Sequence, residues 1–255
     1  MKKSITIAKY TLLEVLKSKV LYNAIFLGLG LLLITYIAYS FTYGDPSRVA
    51  LDFGLGTLSL SSVGIAIFIG VGILSREIES RTVYMIVSRP VSRSSFILGK
   101  YLGLGAVLIL NVLLLSLITL SLYSFIGGEY NYLIPWAVAL TLLESLLVLA
   151  LVGTFSLLSG KIMSVMYTIV LYVLGNSISS AMSTNFVENR PGFKAILEAY
   201  HFVLPAFYKL NIKEFVLYEN LVESSYLVGS LIYCVIYILA LVLLSIFIFN
   251  RKNLD

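Results

Sequence analysis

YNYLIPWAVALTLLESLLVLALVGTFSLLSGKIMSVMYTIVLYVLGNSISSAMSTNFV, residues Tyr130–Val187, carries two charged side chains, Glu144 and Lys161. A bilayer core about 30 Å thick is crossed by about 20 apolar helical residues, and within it every backbone N–H and C=O must be satisfied inside the segment. The stretch divides into two runs of sufficient length, Tyr130 to Gly160 and Ile162 to Val187. Only Ser159 to Ile162 is left to join them. So short a connection predicts neighbouring antiparallel helices, a membrane hairpin. Glu144 falls near the middle of its first arm.

Outward from this hairpin, four more runs pass the same test: Tyr22 to Phe41, Phe53 to Ser75, Tyr101 to Gly128 and Ser224 to Asn250. The whole chain of 255 residues is 59% hydrophobic and 12% charged, where a soluble domain is about 45–50% apolar and about 25% charged. Its mean hydropathy is +0.97. The expected fold is therefore all-α, a single transmembrane domain over residues 1–255 with six membrane-spanning helices. The first run is expected to stay attached, since no small-residue cleavage pattern follows it. The lone Cys234 lies within the last run, so no disulfide framework or thiolate metal site can be built from it.

Lysine and arginine set the expected orientation. Thirteen of the eighteen fall on one side: Lys2, Lys3, Lys9, Lys17 and Lys19; Arg76, Arg81, Arg89, Arg93 and Lys100; and Lys161, Arg251 and Lys252. That side is expected to be the cytoplasm and to hold both termini, with the chain in the cell membrane. The net charge of +5 then reports sidedness, and no nucleic acid is expected as a partner. Residues 1–20 read as an amphipathic helix in the cytoplasmic interface, with Ile5, Ala8, Leu12 and Leu16 on one stripe and Lys2, Thr6, Lys9 and Lys17 on another. Residues 188–223 form the largest outer connection. The spacing of Phe193, Ile196, Leu197 and Tyr200, and of Ile212, Phe215 and Val216, predicts short amphipathic helices on the outer leaflet or over the top of the bundle. His201, the single histidine, has no companions for a metal, and no metal site is expected.

Two glycine–lysine pairs fail as phosphate loops. Gly153 and Gly160 are separated by six residues where the motif needs four, and Ile162 and Tyr101 stand where Ser or Thr should follow the lysine. There is no HExxH and no histidine at membrane depth for a hydrolytic triad. Glu144 stands out instead, because a carboxylate near the midplane should be neutral, paired or facing a wet cavity. Asn111 and Asn176 fall at comparable depth, and the three are candidates to line a path or a subunit seam, with Thr141 one turn before Glu144. Interhelical hydrogen bonding with a purely structural use is the alternative. Gly99 and Gly103 form a GxxxG, a spacing that permits close helix approach but is common by chance in a chain with eighteen glycines.

Between the second and third runs lies REIESRTVYMIVSRPVSRSSFILGKYLG, Arg76 to Gly103. Ser80 to Val87 can form a short helix that Pro90 interrupts, and Ser92 can cap the helix that follows. The order Glu77, Glu79, Arg81-Thr82, Ser88-Arg89-Pro90-Val91-Ser92-Arg93 and Leu98-Gly99-Lys100 resembles the coupling region of ABC exporter permeases of the type-2 superfamily. The likeness is greatest to the branch holding the nitrous-oxide-reductase maturation and gliding-motility permeases. The basic N-terminal segment, the outer LPAFYKLNIKEF and the ending FNRKNLD agree with that branch; Arg81 departs from it, standing where many members have glycine. The resemblance implies a permease subunit that pairs with a second copy or a close paralogue. Its cytoplasmic coupling helix, within residues 76–100, would dock on a separate ABC ATPase. Glu77, Glu79, Arg81, Thr82, Arg89, Pro90 and Arg93 would make that contact, and ATP and magnesium would be bound by the partner. This chain would then be no enzyme and bind no cofactor itself. A partner protein on the outer 188–223 segment is a further expectation. The rival readings are a secondary carrier or channel using Glu144, and a membrane scaffold.

Overall fold

The computed structural model describes residues 2–17, 45–79, 92–129, 131–182, 204–218 and 222–251, with scattered residues in 22–37 and 184–200; of 72–79 only the backbone is described. The labelled helices are α1 (Lys2–Lys17), α2 (Pro46–Glu79), α3 (Arg93–Phe125), α4 (Leu133–Leu158), α5 (Lys161–Met182), the short α6 (Lys213–Leu217) and α7 (Ser224–Arg251), with a 3-10 turn at Phe207–Lys209. Among the described residues five helices, α2 to α5 and α7, are long and apolar enough to cross a membrane. The sixth expected span, Tyr22 to Phe41, lies largely outside the described residues, as do residues 252–255. Within it Gly28 is buried and sits against the Ile118 side chain of α3.

Helix α4 is the centre of the bundle, touching α2, α3, α5, α6 and α7. In the most apolar stretches of α2, α3 and α4 more than half of the residues are buried, whereas in those of α5 and α7 about a fifth are. The expected hairpin is present as α4 and α5. Its turn closes through Ser159 N–H donating to Phe155 O at 2.8 Å and Ser164 N–H donating to Gly160 O at 3.0 Å.

Local capping explains where the helices start and stop. Helix α2 begins seven residues before the expected apolar run, because Asp45-Pro46-Ser47 is a start signal: Asp45 Oδ1 accepts from Ser47 N at 3.0 Å and from Ser47 Oγ at 2.6 Å, and Pro46 takes the first helical position. The Ser47 hydroxyl holds the Asp45 carboxyl below its ordinary value. The cap is therefore in force above the ordinary carboxylate range and fades as pH falls through the lowered value. Ser92 is the N-cap of α3 as its position predicts, with φ −70°, ψ 146° and its Oγ accepting from Ser95 N at 3.3 Å. At the other end of α3, Gly127 adopts φ 89°. Gly128 N–H donates to Tyr123 O at 2.9 Å and Gly127 N–H to Ser124 O at 3.2 Å, which satisfies carbonyls the helix leaves open.

The N-terminal helix α1 is held against the bundle. It packs along α3, and the GxxxG of Gly99 and Gly103 is the groove that receives it. A Cβ on Gly99 would stand 2.7 Å from Ile7 Cβ and 2.8 Å from Ser4 O; one on Gly103 would stand 2.7 Å from Ala8 O and from Thr11 Cβ. Because the groove admits small side chains, the buried face centres on Ser4, Thr11 and Val15, and Ile5 of the expected apolar stripe is 60% exposed. Lys100, one residue past Gly99 and buried, reaches Glu14 at 3.9 Å and lies over the Phe96 ring at 5.8 Å.

A second tie, invisible to periodicity, joins three helices toward the Ser92 end of the bundle. Ser245 Oγ of α7 lies 2.8 Å from Tyr101 Oη of α3 and 2.9 Å from Thr154 Oγ1 of α4. Gly153 leaves the room that the Tyr101 hydroxyl occupies.

Glycine-to-alanine substitution normally favours a helix by about 1 kcal/mol. At Gly103 the clash with α1 backbone reverses the sign: Gly103→Ala is expected to lower the thermal unfolding midpoint and to speed proteolysis within residues 2–17. Gly64→Ala, where a Cβ meets nothing within 4 Å, is expected to leave the midpoint unchanged or raise it.

Candidate functional site

Midway along α4, Ala137, Thr141 and Glu144 recur at helical spacing and face Leu55, Gly56 and Ser59 of α2 across a cavity of about 230 Å³. Asn211, Ile212 and Lys213 complete its wall at the end of the bundle away from Ser92. Glu144 is 3% exposed. Its Oε1 accepts from Tyr172 Oη of α5 at 3.0 Å, and its Oε2 accepts from Ser59 Oγ of α2 at 3.5 Å. The carboxylate thus joins three helices through neutral donors, and the cavity lies against it.

The mouth is shaped by the 204–218 segment, which covers one end of the bundle. Phe207 is fully buried against Gly175, where a Cβ would come within 2.6 Å of Pro205 O and 2.7 Å of Phe207 Cδ2. The Phe207 ring meets Tyr172 edge-on at 5.1 Å, so the covering segment touches the residue that holds Glu144. Ala206 N–H donates to Tyr233 Oη at 3.0 Å, and Asn131 Nδ2 donates to Val216 O at 3.4 Å. Lys213 Nζ is bonded to Asp52 Oδ1 at 2.6 Å, tying α6 to α2. Residues 204–218 of the 188–223 segment thus pack over one end of the bundle.

The structure distributes the three intramembrane candidates unevenly. Glu144 and Thr141 line the cavity. Asn176 donates through Nδ2 to Tyr172 O at 3.1 Å, one turn along α5 from the residue that holds Glu144. Asn111 stands apart: its Nδ2 donates to Ser62 Oγ at 3.3 Å in a buried contact between α3 and α2, and its Oδ1 finds no partner among the described residues. Sequence reasoning missed Ser59, Tyr172, Asp52 and Lys213, because single hydroxyls and loop charges carry no spacing of their own. The usable signal was Gly56 and Gly175, small residues at two places where the covering segment approaches. Among the described residues no three His, Cys, Asp or Glu side chains come together as a metal group.

Of the expected coupling residues, Arg81, Thr82, Arg89 and Pro90 lie outside the described residues, and of Glu77 and Glu79 only the helical backbone at the end of α2 is described. Arg93 is described. Its Nη1 donates to Asn250 O at 3.2 Å and to Phe249 O at 3.5 Å, the open carbonyls at the end of α7. Asn250 Nδ2 donates to Ser94 Oγ at 3.4 Å, and the Phe96 and Phe249 rings stack at 5.9 Å. The guanidinium therefore caps a helix C-terminus, where the macrodipole favours a cation.

Comparison with curated proteins gives no match. Comparison with protein families gives one that covers most of the chain, the ABC-2 family transporter protein profile, matched over residues 53–254. The match runs from early in α2 through α7 and so takes in the cavity, its covering segment and the α2–α3 connection. A multi-pass helical bundle with this profile along it is a membrane component of a transporter: the chain belongs to the ABC-2 transporter family.

Proposed function

We propose that this chain is the permease subunit of an ATP-driven exporter, moved by a separate cytoplasmic ABC ATPase and paired with a second copy or close paralogue. Membership of the ABC-2 transporter family carries the reading, since permeases of that kind work with an ABC ATPase in general. The arrangement of α2 and α3 supports it. Both are long, 34 and 33 residues, about 50 Å each at the helical rise and so longer than a membrane core. They meet the 80–91 segment at the same end, and the start of α3 is gripped by α1 through Gly99 and Gly103 and by α7 through Arg93. A push on that segment would be shared among three helices. In this reading the Ser92 end faces the cytoplasm, both termini lie there, Glu77 through Arg93 meet the ATPase, and ATP and magnesium stay on the partner. The 204–218 cover is then extracytoplasmic, where a further protein could dock. The branch nearest the nitrous-oxide-reductase maturation and gliding-motility permeases belongs to the same proposal.

Transport through Glu144 without ATP is the second reading, favoured by the cavity that reaches the carboxylate. Proteoliposomes holding the chain alone would then dissipate an imposed proton or sodium gradient, and Glu144→Gln would stop it. The first reading expects no such leak.

Purification of the chain with the ATPase encoded beside its gene tests the first reading directly, and association is expected. Arg89→Glu is expected to reduce the co-purified ATPase at least about tenfold, a loss of about 1.4 kcal/mol. Arg93→Glu is expected to lower thermal stability as well, since it also frees the end of α7. Undiminished association in Arg89→Glu would remove this segment as the docking element.

A further inference from the structure

Glu144 is almost fully buried, yet its described partners are two neutral hydroxyls, Tyr172 Oη at 3.0 Å and Ser59 Oγ at 3.5 Å. Among the described residues no lysine or arginine bridges to it. A carboxylate withdrawn from water without a countercharge is costly at membrane depth. The nearest described cation on the cavity wall, Lys213, is neutralised by Asp52 at 2.6 Å. The lining thus carries one cation, Lys213, compensated by Asp52 from beside the cavity, and one carboxylate, Glu144, with no cation bridged to it. Between them lies about 230 Å³, with the polar residues Thr141 and Asn211 among those lining it, room and polarity enough for several waters.

We propose that this vestibule is a binding site for a small monovalent cation, which enters past the Lys213–Asp52 pair and rests against the Glu144 carboxylate, with the hydroxyl oxygens of Thr141 and Ser59 as neutral ligands. Hard oxygen donors suit either an inorganic ion or a primary ammonium, and 230 Å³ excludes neither. A cleft whose uncompensated charge has one sign and whose walls are of low dielectric concentrates counter-ions and speeds their arrival by about 10- to 1,000-fold. The inference goes beyond the first reading, deepens the second by naming what Glu144 would bind, and holds whether or not an ATPase drives the chain. Its test therefore uses the full chain without ATPase, and failure here leaves the ATPase association experiment untouched.

Thr141→Cys places a thiol one turn from Glu144, and Asn211→Cys places one at the mouth. The full-length variants in nanodiscs are treated with a cationic reagent, 2-aminoethyl methanethiosulfonate, and an anionic one, 2-sulfonatoethyl methanethiosulfonate. Rates are read by peptide mass spectrometry, so that the buried Cys234 is scored separately. The cation-over-anion rate ratio is expected to be at least about tenfold higher at position 141 than at 211. In the Thr141→Cys, Glu144→Gln double variant it should fall to the ratio at the mouth. Protection at 141 is then measured at constant ionic strength, with N-methylglucamine as the balancing cation. Slowing by sodium alone identifies an inorganic ion; slowing by ethylammonium identifies an organic amine. Equal ratios at 141 and 211, a ratio indifferent to Glu144→Gln, no labelling at 141 by either reagent, or protection by neither ion would each overturn the proposal. Ala137→Cys, on the same stripe of α4, gives the same reading if Thr141→Cys does not fold.

Discussion

Close backbone approach at glycine is the constraint on which the rest of the bundle depends. In lipid, apolar side chains gain little from one another that lipid tails would not also supply, so helices adhere through tight packing and polar ties. Gly54 of α2 lies under Thr119 of α3, and Gly70 of α2 under Val152 of α4. Gly99 and Gly103 of α3 receive α1, Gly153 of α4 admits the Tyr101 hydroxyl, and Gly175 of α5 receives Phe207 of the cover. Where backbones come this near, hydroxyls and amides reach across, as Asn111 does to Ser62 and Thr154 to Ser245. The polar contacts are thus made possible by residues that have no side chain.

Much of the architecture was legible. The apolar runs gave five of the expected spans, their alternation and the tight α4–α5 turn, because a bilayer demands length and a satisfied backbone of any segment that crosses it. Ser92 announced its cap. The missed features share one physical cause: each belongs to a pair of distant residues. The early start of α2 at Pro46 is a partial exception, since Asp45-Pro46-Ser47 was readable and yielded only to the stronger signal of the apolar run. Gly99 and Gly103 were visible as a motif, but the partner that fills the groove could not be inferred from spacing. For the cavity, the midpoint carboxylate was the legible part; Tyr172, Asp52 and Lys213 acquire meaning only when α5 and the cover fold back over α2 and α4.

Helix α2 draws these pieces together. One end carries Asp52, bound to Lys213 of the cover; its middle carries Ser59, which touches Glu144, and Ser62, which touches Asn111; its backbone continues without interruption to Glu79. A continuous helix resists bending, so rotation or sliding at one end is felt by each of these contacts. The longest is the 3.5 Å bond from Ser59 to Glu144, and the shortest is the 2.6 Å Lys213–Asp52 pair. Cavity shape and helix position are in this way linked mechanically within one element.

The clasp between Arg93 and the last carbonyls of α7 has a topological consequence. It brings the start of α3 beside the last described turn of α7, although the two are 157 positions apart in sequence from Arg93 to Asn250. The stacked Phe96 and Phe249 rings continue the seam inward. The open polypeptide is thereby drawn into a ring closed by non-covalent contacts. An insertion between Ser92 and Phe96 would break that ring.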